Sequence, residues 1–249
     1  MFDTLMEWLF AVLNFFYGWT HDYGFAIILL TIAMRIVLLP LTIKQTKSTF
    51  ELQRIQPKIK QLQAKYKNDK EKLQEETLKF YQENKVNPLG GCLPLILQMP
   101  IFFALFRVLG TTSKKIDGKS TILPGLLLAH IASMPAAQSE LAKRFWIILP
   151  DITLTPAKMY ETGGIWAVLP YALLVIAFGL SIYIPQMMQP NVEKTQKQMA
   201  LYMSLMMLWF GWISPAGVLI YWVTSSLLQV AQQWVMQKMY AHPEGEAQK

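Results

Sequence analysis

The chain has 249 residues, of which 53% are hydrophobic and 16% charged, with a mean hydropathy of +0.28. An average soluble domain carries about 25% charged residues, so this composition argues against a cytosolic enzyme, a disordered chain and, with one cysteine, a disulfide scaffold. The net charge of +7 asks for an anionic partner surface, and its placement decides between nucleic acid and lipid.

Residues 1–23 hold Asp3, Glu7 and Asp22 and no lysine or arginine. Leu5–Trp19 reads as an interfacial helix on the external side, its Trp8, Phe15, Phe16, Tyr17 and Trp19 suited to the headgroup zone. A basic n-region and a small-residue cleavage site are missing, which argues against a signal peptide. Residues 24–43 form a first apolar window of about 20 residues, a membrane span.

Residues 44–88 carry eleven Lys/Arg against six Asp/Glu. Leu52, Ile55, Ile59, Leu62 and Tyr66 recur at spacings of 3, 4, 3 and 4, a heptad seam. Lys67-Asn68-Asp69-Lys70 makes a polar turn, and Leu73, Thr77 and Phe80 continue a shorter seam that ends at Asn87-Pro88. The pattern predicts an antiparallel coiled-coil hairpin, kinked or hinged at Pro57. The hairpin could be only a solvated connector with a packed seam, or its outward basic arm could touch lipid headgroups, nascent chains or ribosomal RNA.

The second span covers 89–110. Within 111–164, an external loop, Ile122–Met134 and Phe145–Ile152 are apolar but too short to cross, so they are interfacial or packed on span ends. The third span covers 165–187, followed by a loop at 188–198. The charge-free stretch Gln198–Gln237 is too long for one crossing, and Ser214-Pro215-Ala216-Gly217 divides it. The fourth span is then 199–213, short enough to require little tilt or a thinned bilayer. The turn and fifth span occupy 214–238, and 239–249 is a tail. The basic segment 44–88 belongs in the cytoplasm, which puts the N-terminus outside and the C-terminus inside. The expected fold is therefore an all-α polytopic membrane protein with five transmembrane helices.

Arg35 is the most informative residue. It lies within the first span, where an arginine costs about 2.5–3.5 kcal/mol on insertion scales. No Asp, Glu or His lies in any of the five spans, so no carboxylate awaits it there. Either it hydrogen-bonds neighbouring carbonyls, or it sits in a wet cavity that receives a negatively charged guest. Thr31, Gln98, Tyr202, Ser204, Tyr221, Thr224, Ser225 and Gln229 could line such a cavity, each alternatively a helix–helix hydrogen-bonding residue. Gln98, between Pro94 and Pro100, is the best placed. Methionines including Met99, Met203 and Met207 could offer an adaptable apolar surface or simply face lipid. An ion-coupled transporter would show intramembrane carboxylates, and none is present; an anion channel selecting through Arg35 and a scaffold working through its hairpin are the other readings.

The run Asn87-Pro88-Leu89-Gly90-Gly91-Cys92-Leu93-Pro94-Leu95-Ile96-Leu97-Gln98-Met99-Pro100-Ile101-Phe102 resembles the YidC-type membrane protein insertases. So do Leu38-Leu39-Pro40-Leu41-Thr42 after Arg35, Gln56-Pro57-Lys58-Ile59, and Ser214-Pro215-Ala216-Gly217 through Trp222. The chain differs from larger members in lacking an extra N-terminal span, a large external domain and a long basic tail. The resemblance implies a bacterial inner-membrane insertase and chaperone, not an enzyme, with no cofactor, metal or nucleotide. It implies a hydrophilic groove, closed outside, formed here by Arg35, Gln98, Thr31, Tyr221 and Trp222. It implies a hydrophobic slide of Cys92, Leu95, Ile96, Met99, Met203 and Met207. The implied partners are newly made membrane proteins, the bilayer, the Sec translocon and the ribosome.

Overall fold

The structure, a computed structural model, describes residues 2–84, 86, 93–116, 119–188 and 194–240. In chain order its elements are α1 (Phe2–Thr20), α2 (Tyr23–Lys65), α3 (Lys70–Glu83), α4 (Leu93–Leu109), β1 (Thr111–Ile116), β2 (Lys119–Pro124), α5 (Leu126–Ser133), α6 (Ala136–Lys143), α7 (Pro156–Met187), α8 (Lys194–Ile213) and α9 (Ala216–Tyr240). The fold is helical, with one departure from the all-α expectation. β1 and β2 pair antiparallel, Thr111 opposite Pro124 and Ile116 opposite Lys119. Thr111, Thr112, Thr121 and Ile122 are β-branched, and Asp117-Gly118 between the strands is a hairpin signal in the sequence.

Among the described residues two stretches are long and apolar enough to cross a bilayer, Tyr23–Leu52 and Pro156–Met187; Gln98–Leu109 is a shorter apolar helix. The chain divides into two compact units, Met1–Ile36 with Pro100–Val230, and Val37–Met99 with Ala231–Lys249.

The first unit is built on one apolar core. α1 buries Leu9 and Leu13, one helical turn apart, and leaves Trp8, Phe15 and Trp19 exposed on another face. The buried side joins Tyr23, Ile27 and Leu30 of α2, Leu105 and Val108 of α4, and Tyr171 of α7. Asp22 fixes the entry to α2: its Oδ1 accepts from Gly24 N (2.7 Å) and Phe25 N (3.2 Å), and its Oδ2 accepts from Trp146 N (2.7 Å). The segment between the strands and α7 is part of this core, since Leu127, Ile131, Leu149 and Ile152 are all buried in it.

α7 starts at a Thr155 cap, whose side chain accepts from Lys158 N, with Pro156 in the first turn. The helix kinks at Gly164, whose φ of 71° is left-handed and open to glycine. Further along, α7 meets α8 and α9 closely. Ser204 Oγ donates to Gly179 O (2.9 Å) and Ser226 Oγ donates to Ser181 O (2.6 Å), interhelical bonds of the kind small polar residues make in membranes. α8 spans 20 residues, about 30 Å. It is longer than the apolar window 199–213 because the helix continues through the polar residues that precede that window.

In the second unit, α2 continues through Pro40 and Pro57 without interruption, so the boundary expected at residue 43 is not a helix end. Asp69 caps α3, accepting from Lys72 N (3.0 Å). Ile55, Ile59 and Val86 are buried together, with Leu52, Phe80 and Tyr81 packed against them. These contacts fold α3 back along α2. At the turn, the ammonium groups of Lys65 and Lys72 lie 5.1 and 5.8 Å from the centre of the Tyr66 ring.

Candidate functional site

The face of α2 that buries Ile27, Leu30 and Thr31 carries Arg35 one turn beyond Thr31. The guanidinium is thereby directed at α9, not outward like its exposed neighbour Ile36. On α9, Ser225 and Gln229 are one turn apart and share a face. Arg35 Nη2 donates to Ser225 O (2.8 Å), Ser225 Oγ (2.8 Å) and Gln229 Oε1 (3.3 Å), and Nε donates to Ser225 Oγ (3.2 Å).

All these acceptors are neutral. Hydrogen bonds to a charged group contribute about 1.5–3 kcal/mol each, which offsets much of the cost of placing the arginine. They do not cancel its charge. Among the described residues no carboxylate pairs with Arg35, and its described hydrogen bonds leave from Nε and Nη2. The result is an anchored cation with donors to spare, suited to a carboxylate or another anionic acceptor. Of the two sequence-level alternatives for Arg35, the carbonyl partner is real, and the charge is still uncompensated.

The other groove candidates have different surroundings. Thr31 is buried and its hydroxyl donates to Ile27 O (2.7 Å). Tyr221 is buried in the main core. Trp222 is half-buried in an aromatic cluster, its ring edge-to-face with Phe102 (5.1 Å) and with Phe178 (5.5 Å). Gln98 is a half-buried residue of α4 in the second unit. The described hydrogen bonds of Arg35 go to Ser225 and Gln229, and Tyr221 lies near enough to interact with its charge. Ser225 and Gln229 stood among eight polar candidates in the sequence; their spacing of four puts them on one helix face, a spacing that Tyr221 and Ser225 share.

Among the slide candidates, Met203 is 42% exposed on α8, and Met207 packs against the buried Val175–Phe178–Leu219 cluster. Met99 is 41% exposed on α4. Cys92 lies outside the described residues, as do the side chains of Leu95 and Ile96. Around Met203, α8 exposes Met199, Tyr202, Met206 and Trp209 as well, so this helix presents a broad apolar and aromatic surface. No group of three or more potential metal ligands gathers among the described residues.

A family model described as 60Kd inner membrane protein matches residues 15–243. The chain is 34% identical over 238 residues to the membrane protein insertase YidC of Endomicrobium trichonymphae, covering 95% of this chain and 40% of that protein. It is 33% identical over 239 residues to the membrane protein insertase YidC of Fusobacterium nucleatum, covering 96% of this chain and 97% of that one. It thus spans less than half the length of the first relative and nearly all of the second. A crystal structure of an active YidC insertase with its first transmembrane domain resolved superposes with a TM-score of 0.66 at 24% identity, covering 94% of this chain and 46% of that one. That likeness is one of fold.

Proposed function

Because this chain belongs to the 60Kd inner membrane protein family, whose relatives are YidC insertases, we propose that it inserts newly made proteins into the bacterial inner membrane and assists their folding. Five helical stretches cross the bilayer in this reading: the first part of α2, α4, α7 after its kink, α8 and α9. The N-terminus faces outward and the hairpin and C-terminus face the cytoplasm, following the basic bias of residues 44–88.

The observation that carries the reading is Arg35, a cation in an apolar helix anchored by Ser225 and Gln229 and paired with no described carboxylate. Such a charge needs water around it, and water in a groove lowers the cost of bringing a polar segment to membrane depth. The client's hydrophilic, often acidic, outward tail enters beside Arg35. Its apolar helix moves along the slide of Cys92, Leu95, Ile96, Met99, Met203 and Met207, where flexible methionine side chains fit clients of varied shape. Thr31, Gln98, Tyr221 and Trp222 support the groove, with Thr31, Tyr221 and Trp222 acting through packing. Electrostatic attraction and burial of the client helix drive the process, so nucleotide hydrolysis has no part. The hairpin recruits clients, with the ribosome and the Sec translocon as further partners.

The test uses liposomes containing only the purified protein and a single-span client with an acidic outward tail, scored by protease protection of the tail. Wild-type protein should protect the tail above empty liposomes. Arg35→Glu should lower protection by about tenfold or more, since a like charge replaces an attractive one at short range. Arg35→Lys, which keeps the charge, should retain most of it. Equal protection by wild type and Arg35→Glu would rule out the electrostatic step.

A further inference from the structure

Two glutamines of the second unit differ in a way that marks a site. Gln232 on α9 has its amide engaged, with Nε2 donating to Thr42 Oγ1 at 3.1 Å. Gln45 on α2 is only 4% exposed, yet neither its Oε1 nor its Nε2 has a hydrogen-bond partner. The hydroxyls of Thr46, next in the chain, and Thr49, one turn along, are committed to main-chain carbonyls. Thr46 Oγ1 donates to Thr42 O (2.8 Å), and Thr49 Oγ1 donates to Gln45 O (3.1 Å). Lys44 and Lys47 on either side are exposed.

Buried polar side chains in folded proteins are nearly always paired, and leaving both halves of an amide unpaired forfeits its hydration without return. A methionine, similar in length and without polar hydrogens, would fill the same space with no such loss. The conflict between local chemistry and burial is the kind that marks a functional position. A primary amide offers an acceptor and two donors side by side, the complement of one peptide unit. Position 45 also lies two residues past the apolar run that ends at Ile43, where a client entering from the cytoplasm would first leave water.

We propose that Gln45 binds the main chain of the client's hydrophilic segment, Oε1 accepting from a client N–H and Nε2 donating to a client carbonyl. The inference rests on the insertase reading given above. It adds a contact that recognises the peptide group itself and is indifferent to the segment's charge, whereas Arg35 selects for charge.

The experiment compares two clients in the same liposome assay, identical except for an acidic or an uncharged polar outward tail. Wild-type protein should insert both. Gln45→Met should fold with an unchanged or higher Tm and insert both clients about fivefold less well, the size of a lost hydrogen bond, leaving the ratio between them unchanged. Arg35→Glu should shift that ratio against the acidic tail. Gln45→Met working at the wild-type rate on both clients overturns the inference and assigns the amide to a bridging water; the insertase reading then still stands. Wild-type protein that inserts neither client overturns both. If Gln45→Met fails to fold, a small diazirine amino acid at position 45 is irradiated with a client arrested mid-insertion. Capture of the client's tail supports the contact, and capture of lipid alone refutes it.

Discussion

Ser225 accepts from Arg35 through both its main chain and its side chain, the carbonyl and the hydroxyl each 2.8 Å from Nη2. A helical carbonyl oxygen has two lone pairs, so Ser225 O can accept from Arg35 beside its place in the helix. The two contacts hold the flat guanidinium in one plane, so that its remaining N–H groups have a defined direction. Arginine is suited to this arrangement where lysine is not: one edge of the fork is anchored while another stays available.

Ser225→Ala should separate anchoring from charge. The substitution removes the hydroxyl acceptor for Nε and Nη2 and keeps the carbonyl. A loss of about 1.5–3 kcal/mol in stability is expected, in the range for a hydrogen bond to a charged group. Preference for an acidic over a neutral tail should weaken only modestly, because the charge remains. The check is a thermal melt of the purified protein together with the acidic-to-neutral insertion ratio. Loss of that ratio equal to the loss in Arg35→Glu would mean that orientation, not charge, is what the client reads.

Gly179→Val should disrupt the contact between α7 and α8. A Cβ built at Gly179 would lie 2.5 Å from Leu208 Cδ2 and 2.9 Å from Leu208 Cγ, well inside van der Waals contact. The same glycine's carbonyl accepts from Ser204 Oγ at 2.9 Å, so pushing the helices apart also strains that bond. Overpacking of this kind costs about 1–3 kcal/mol. Leu208→Ala in the same chain should recover much of the loss, since the clash falls on the end of the leucine side chain. A double-mutant cycle on thermal stability measures the coupling; additive effects would place the damage elsewhere.

How much of this was legible in the sequence follows from the range of each interaction. The separation of α8 from α9 at Ser214-Pro215 is written locally, because proline and its neighbours end a helix by their own geometry. The packing of Leu52, Ile55 and Ile59 against Phe80 also follows from a periodic pattern that two adjacent arms can read. Arg35 stood out because an apolar helix isolates it. Its partner did not, since any of several serines and glutamines in the spans could have met it, and the choice depends on how α2 and α9 are rotated. The stretch from 111 to 155 was opaque for the same reason. Its turns are held by pairings between distant main-chain groups, such as Gly217 N to Ile152 O at 2.8 Å, that no local period encodes. Gln45 was invisible because a glutamine just past a span looks like ordinary interface polarity until its burial is known.

Tyr171→Phe tests those distant pairings. Tyr171 is fully buried, and its hydroxyl donates to Asp151 O at 2.6 Å while accepting from Asp151 N at 3.0 Å. Asp151 in turn receives Thr153 N (2.8 Å) and Thr153 Oγ1 (2.6 Å) at its carboxylate. The next residues along, Ile152 and Leu154, accept from Gly217 N (2.8 Å) and Ala216 N (3.0 Å) at the start of α9. One hydroxyl therefore fixes the main chain that receives the first turn of α9. Removing it leaves an N–H and a carbonyl of Asp151 without their partner, at a cost of about 1–3 kcal/mol. The loss should be local before it is global. Amide hydrogen exchange at Ala216 and Gly217 should accelerate in Tyr171→Phe, while amides in the middle of α8 keep their wild-type protection. Unchanged exchange at Ala216 and Gly217 would show that the start of α9 is held by core packing around Val218 and Ile220, with the tyrosine contributing only its ring.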